Sequence, residues 1–408
     1  MKVLVIGAGV VGLTTAYKLA KEGCRVTIVD KNEKPGFGAS YANGGQLSYS
    51  YKTPIANMKV ISQLPRILLG LDPAFKIYPT TDIDFYRWGL QFLKYCLPKY
   101  SSQSTSTMQK LGALSQKRTA DLVLDTGIDF DYRKRAGKLY VYENFKDFQL
   151  SANNVETKNI WDAEKVYRDI PSLVMDNIEG GIFDAEEDAA DSHKFCNRLL
   201  DYIQQKYDVK FLGDCTVTSI SNQDTNVLSV VTSEGELTAD NYILTAGAQS
   251  AQLCKTLGVK LPIYPMKGYS ITVPADASAP RISVTDTARR MVYCRLGDRL
   301  RIAGIAEFSG KKTDVKEQRI QQLLENARSY LPQAGDYNTI LDAWCGLRPA
   351  TPDSLPIVSH TTYTNLFLNT GHGMLGLTYA AATADILSHL VFGKTPCFDV
   401  ESLSVNRF

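Results

Sequence analysis

The sequence predicts an α/β protein in two interleaved parts, and three observations predict it. Residues 1–30 make a strand, a glycine turn, a helix, a second strand and a closing acid. A further strand, glycine turn and helix recurs over 365–392. Between them a β-rich block, 265–305, reads as one large sheet separate from the rest. The N-terminal unit marks a Rossmann-like dinucleotide-binding domain, because GxGxxG carries meaning only inside a βαβ unit.

Lys2-Val-Leu-Val-Ile6 is a short, β-branched apolar run. Gly7-Ala-Gly9-Val10-Val11-Gly12 follows at once, then a helix from Leu13 that Gly23 closes. Gly7 allows the tight turn, Gly9 lets backbone approach a pyrophosphate, and Gly12 lets helix pack on strand. The helix N-terminus offers unpaired N–H groups to phosphate. Arg25-Val-Thr-Ile-Val-Asp30 ends in an acid eighteen residues after Gly12, placed to accept from ribose hydroxyls. These features point to an ADP-containing dinucleotide and leave FAD and NAD open.

At 408 residues the chain has room for two domains. Lys plus Arg is 45 against 43 acids, a balance that argues for no nucleic-acid partner. Eight cysteines are scattered with no CxxC pair and only 4 histidines, so no metal site is expected. Reduced thiols in a cytoplasmic protein are the expectation. The chain starts on a strand, which leaves no room for a signal peptide, and no long apolar run predicts a spanning helix.

After Asp30 and Lys31, the stretch Gly38 to Ser48 is small, polar and glycine-rich, with Ser40, Asn43, Gly44, Gly45 and Gln46. Its place beside the nucleotide turn favours ligand contact over a plain surface loop. Helical patterns follow over 55–71, interrupted by Pro65, and over 82–97, stopped by Pro98. Their apolar faces either pack on the core or lie on a membrane or partner. A long helix is predicted over 104–125, a strand over 137–142, a helix over 162–169 and a short strand over 180–184. The acids of 185–191 are read as suiting the dipole of a helix over 192–207. Strands over 209–212, 216–220, 227–233 and 238–245 lead to Thr245-Ala246-Gly247-Ala248, a second place for close backbone approach. Strands over 265–273, 281–284, 290–296 and 300–305 make the large sheet, and a helix spans 314–330.

Arg348 sits in apolar company at a strand end, before Pro349. It must find a partner, because an unpaired buried charge is very costly. An internal carboxylate and a substrate carboxylate, gripped by the guanidinium fork, are equally open readings. In Thr370-Gly371-His372-Gly373-Met374-Leu375-Gly376 the following helix N-terminus suits an anionic ring edge. His372 either contacts that ring or is merely satisfied in a turn.

Taken together, Gly7–Gly12, Ala42-Asn-Gly-Gly-Gln46, Tyr264-Pro-Met-Lys-Gly-Tyr-Ser270, Gly346-Leu-Arg-Pro-Ala-Thr-Pro-Asp353 and Asn369–Gly376 resemble the FAD-dependent D-amino acid oxidase superfamily, on the branch of the bacterial D-amino acid dehydrogenase small subunits. Gly45 stands inside a loop that often reads Ala-Asn-Ala-Gly in the family, a mild departure. The resemblance implies an FAD-binding domain of 1–50, 176–258 and 343–408. It implies an α+β substrate domain of 51–175 and 259–342, whose large mixed sheet covers the ring. It implies noncovalent FAD, held by the glycine turns, the 38–48 loop, Val217 and 246–247. It implies Arg348 on the substrate carboxylate, with Tyr269 and Tyr51 near the substrate. The implied reaction is oxidative deamination of D-amino acids to 2-oxo acids and ammonia, by hydride transfer to flavin N5. Electrons would pass to a quinone or another acceptor. The alternative is an oxidase or dehydrogenase of glycine, sarcosine or proline derivatives. The expected location is the cytoplasm, or the cytoplasmic face of the inner membrane through 55–97.

Overall fold

The computed structural model describes residues 1–51, 53–153, 155–174 and 176–408. The strand Lys2–Ile6 lies in the middle of a six-stranded sheet. In order, the strands are Ile357–His360, Leu366–Thr370, Asn241–Leu244, Lys2–Ile6, Arg25–Val29 and Val209–Leu212. All neighbours run parallel except the edge strand Ile357–His360. Parallel strands are buried on both faces, which is why these runs are almost wholly apolar. Val3, Val5, Ile28 and Ile243 face one core, and Leu4, Ile6, Val29 and Leu244 face another. The helix Val10–Lys21 packs against Gly376–Val391, which in turn packs against Pro98–Thr126.

The second sheet has nine strands and is mixed. Its main run is Asp342–Ala350, Tyr264–Pro274, Arg299–Phe308, Met291–Leu296, Ser283–Asp286, Lys138–Tyr142, Gly180–Asp184 and Ile160–Asp162. Phe75–Ile77 pairs parallel to Arg299–Phe308, and Ser283–Asp286 runs parallel to Lys138–Tyr142; the other pairs are antiparallel. Two of these strands, Gly180–Asp184 and, from its second residue on, Asp342–Ala350, fall in stretches that the sequence assigns to the nucleotide-binding part. We propose that the units divide by sheet membership, which moves both boundaries; the one drawn at 175 falls on a position outside the described residues.

The loop after Ser40 is laid across the second sheet, strand by strand. Arg301 Nη1 donates to the Asn43 carbonyl at 3.2 Å, Gln46 donates to Ser283 and Thr285, and Lys138 Nζ donates to Ser48 Oγ at 2.8 Å. Gly112, inside the helix Pro98–Thr126, lets that helix press on the same loop. A Cβ there would lie 1.9 Å from the Tyr49 carbonyl oxygen.

Several elements differ from expectation for local reasons. Pro98 does not only stop a helix, which here runs Ile83–Tyr95; it opens the next in its first turn, where a missing N–H is harmless. Pro65 lies inside Met58–Leu68 rather than breaking it. The acids of 185–191 do not fill a helix first turn. Asp191 is the N-cap, accepting from the His193 and Lys194 amides. Glu187 instead accepts from the Tyr49 and Ser50 amides, and Asp188 from the Tyr49 and Tyr132 hydroxyls.

Candidate active site

A cleft of about 1460 Å³ is lined from both sheets. At one end stands the first glycine turn. Gly7 has φ +110°, and a Cβ there would lie 2.8 Å from the Thr245 carbonyl oxygen. Gly12 does not line the cleft; a Cβ on it would meet the Gly7 oxygen at 1.9 Å, so it seats the helix on the turn. Gly9, Val10 and Val11 do line it. The Val10 amide donates to Ser40 Oγ at 3.1 Å, which fastens the 38–48 loop to the helix start.

Asp30 faces the cleft and also organises the turn. One carboxylate oxygen accepts from the Ala8 amide at 2.7 Å. The other accepts from the Asn32 amide and side chain. The oxygen bonded to the Ala8 amide keeps a second lone pair, so capacity for a ribose hydroxyl remains there. Lys31, Val217, Ala246 and Gly247 border the same end, and Asn43, Gly44 and Gln46 the middle. Gly45 turns away, with φ +70° and the Cys294 sulfur and Leu296 behind it.

The second glycine turn closes the cleft. Gly371 and Gly373 both have positive φ, and the helix Gly376–Val391 starts after Leu375 with no side-chain cap. The Gly373 amide donates to the Pro349 carbonyl at 3.0 Å, tying this turn to the strand of Arg348. Gly371, Gly373, Met374, Leu375 and Gly376 all line the cleft. His372 Nε2 lies 3.0 Å from Thr383 Oγ1, and burial pushes its pKa down to about 3, so the ring is neutral.

Arg348 lies in the wall of this cleft. Its Nη1 donates to the Ile305 carbonyl at 3.1 Å, and burial lowers its pKa to about 10. Among the described residues no carboxylate lies within ion-pair distance of it. Its guanidinium crosses the neighbouring strand at Gly268, where a Cβ would sit 2.3 Å from Cζ. Gly346, paired with Gly268, is bare for Trp344, whose ring a Cβ would meet at 1.9 Å. Gly268 and Gly346 stand in the motifs quoted above, but nothing in their spacing shows what they make room for.

The other two expected residues differ from each other. Tyr51 lines the cleft, with Lys138 Nζ 5.7 Å from its ring centroid. Tyr269 borders the cleft with its hydroxyl turned away. It pairs with Cys345 while Arg348 pairs with Met266, so the two side chains leave opposite faces of the sheet. The Tyr269 hydroxyl donates to Glu307 at 3.1 Å, and burial, then Glu307, raises its pKa. Tyr269 is thus among the cleft residues, while its hydroxyl is taken by Glu307 on the face opposite Arg348. Lys138 was missed. Its alternation with Tyr140 and Tyr142 on one face was the available signal, and burial pushes its pKa down to about 8.

The FAD dependent oxidoreductase family, DAO, matches residues 2–390. The chain belongs to that family. It is 38% identical over 423 residues to a protein named D-amino acid dehydrogenase from Paramagnetospirillum magneticum, covering 100% of this chain and 99% of the relative. It is 37% identical over 408 residues to D-amino acid dehydrogenase 2 of Pseudomonas aeruginosa, covering 98% and 97%. Two solved structures share the fold. Glycine oxidase from Geobacillus kaustophilus matches with TM-score 0.76 at 20% identity, covering 100% of this chain and 98% of that one. L-proline dehydrogenase from P. horikoshii matches with TM-score 0.77 at 17% identity, covering 100% and 97%. The cleft of this FAD-dependent oxidoreductase fits the cofactor on its own evidence. A Cβ on Gly7 would meet the Thr245 carbonyl oxygen at 2.8 Å and one on Gly9 the Ser40 hydroxyl at 3.1 Å, so the turn stays bare, and the Asn369 Oδ1, in the cleft wall, is buried without a partner among the described residues.

Neutral His372 gives a test of stability. The folded state resists protonation down to about pH 3, whereas an unfolded histidine binds a proton near pH 6.5. The contribution is therefore fully present above pH 6.5 and is lost as pH falls towards 3. Between pH 7 and pH 5 it amounts to about 2 kcal/mol. Thermal unfolding of wild type and His372→Gln at both pH values should show a smaller loss of Tm in the variant. Parallel losses would contradict the assignment.

Proposed function

We propose that the protein oxidises D-amino acids to 2-oxo acids and ammonia and passes the electrons to a quinone or similar acceptor. The observation that carries this is Arg348: a partly buried guanidinium in the cleft wall, with, among the described residues, a single protein carbonyl and no protein carboxylate to answer it. A small carboxylate ligand supplies the missing charge bidentately. The names of the relatives at 38% and 37% identity support amino acids of D configuration.

When bound, FAD supplies the two-electron acceptor. Arg348 fixes the substrate carboxylate and so sets where the Cα hydrogen points. Met266, Val292 and Trp344 line the sheet side of the cleft and limit water there. The substrate enters with its amino group neutral or sheds that proton on binding, and no side chain has to act as base. Noncovalent FAD is supported by Cys345, whose thiol donates to the Thr313 carbonyl from the face opposite Arg348. Val217 and the two glycine turns would border the cofactor, Tyr51 the substrate.

The stretch 55–97 divides between the two readings of its apolar faces. Trp88, Phe92 and Tyr95 pack in a core cluster. Leu68, Leu69 and Leu90 are 65%, 74% and 70% exposed, which supports contact of this flank with a membrane surface, where a quinone would be met. No helix among the described residues is long and apolar enough to cross a membrane.

Two tests follow. Purified holoenzyme mixed without oxygen with D- and L-amino acids, glycine and proline derivatives should lose its flavin absorbance with D-amino acids, and Arg348→Ala should raise KM at least ~30-fold while FAD stays bound. Bleaching only with glycine or secondary amines would replace the substrate assignment, and an unchanged KM would remove Arg348 from the site. Replacing Leu68, Leu69 and Leu90 by serine should reduce co-sedimentation with phospholipid vesicles; wild-type protein that never sediments would refute the membrane contact.

A further inference from the structure

The strand Arg299–Phe308 breaks register beside Arg348. Lys267 pairs with Glu307 and Tyr269 with Gly304, so two steps along one strand face three along the other. The extra residue makes a β-bulge. Within it Ile305 has φ +59°, a conformation that β-branched residues rarely adopt. Such a residue persists only where its surroundings hold it, and such positions gather at functional sites.

The bulge has a consequence on the cleft side. In a regular ladder the 305 carbonyl would pair with the next strand. Here it accepts from Arg348 Nη1 at 3.1 Å, across the bare Gly268. It is the one protein acceptor of that guanidinium among the described residues.

What holds the bulge lies on the other face. Glu307 is fully buried and accepts from Arg319 at 2.7 Å, the Tyr269 hydroxyl at 3.1 Å and the Tyr78 hydroxyl at 3.3 Å. Lys316 Nζ lies 3.6 Å away. Burial alone would raise its pKa, but Arg319 and Lys316 bring it below the usual value, so the carboxylate is charged. The Ala306 amide also donates to the Ala74 carbonyl at 2.7 Å. Arg348 in turn meets none of these groups.

We propose that Glu307 is a positioning residue: by locking the Ile305 bulge from behind, it aims the Ile305 carbonyl at Arg348 and so orients the guanidinium for the substrate carboxylate. This rests on the reading of Arg348 as the carboxylate anchor. Glu307 touches neither substrate nor cofactor and acts only through the bulge.

A double-mutant cycle tests it on the holoenzyme. The probe is propionate, a carboxylate without an amino group, titrated against the flavin spectrum in wild type, Glu307→Gln, Arg348→Ala and the double variant. Glu307→Gln should raise the Kd of propionate and the KM of the D-amino acid about 10-fold, with FAD content unchanged. In the Arg348→Ala background the same change should add nothing, because the positioned group is already gone. An equal rise in both backgrounds, or no rise in wild type, would overturn the proposal. If Arg348→Ala itself left propionate binding intact, the anchor reading would fall instead, and the positioning role with it. Should Glu307→Gln fail to fold, Arg319→Met removes one partner of Glu307 and should follow the same non-additive pattern at a smaller size; additive behaviour would again overturn it.

Discussion

Among the described residues, a positive charge without a negative one beside it organises the cleft. Removing a guanidinium from water is costly, and the usual answer inside a protein is a carboxylate. Among the described residues Arg348 has instead one backbone carbonyl, that of Ile305. Neighbouring features follow from keeping it there. Gly268 leaves room for its planar head, and Gly346 leaves room for Trp344 beside it. The Gly373 amide bonds to the carbonyl next along from Arg348, which couples the second glycine turn to the charge.

The six-stranded sheet brings a different kind of positive site to the same cleft. Two helices, Val10–Lys21 and Gly376–Val391, begin at its edge after glycine turns, and neither start carries a charged cap. Aligned peptide dipoles and free N–H groups favour anionic atoms at both places. The loop over 40–48 connects these elements to the larger sheet. Ser40 is fastened to the first helix, Ser48 to Lys138, and the Ser48 amide donates to Thr378 in the second helix. Cofactor and substrate regions are thereby held in one frame, which is what orientation of a reacting Cα against a ring requires.

Much of this frame was legible because it is local. The strand Lys2–Ile6, the helix after Gly9 and the strand to Val29 follow from apolar runs, three glycines and an acid within thirty residues. The C-terminal unit was legible for the same reason. Arg348 could be singled out by its apolar neighbours, but its partner could not, since whether a carboxylate reaches it is a tertiary fact. The face of Tyr269 depends on strand register, which a one-residue slip would reverse. The bulge at Ile305 leaves no mark, because a β-branched residue is not expected at positive φ. The acids Glu187 and Asp188 looked like helix-start residues and proved to be buried partners of Tyr49 and Ser50, a contact across more than a hundred residues of chain.

The most direct measurement is the steady-state kinetics of Gly268→Ala with a D-amino acid. The three heavy atoms nearest to the added methyl all belong to the Arg348 guanidinium, and the position demands no unusual backbone angle. Displacement of the guanidinium should raise KM about 10-fold or more, with Tm and FAD content held. A variant with unchanged KM would show that the position of Arg348 over the glycine strip does not matter to substrate binding, and would contradict the account.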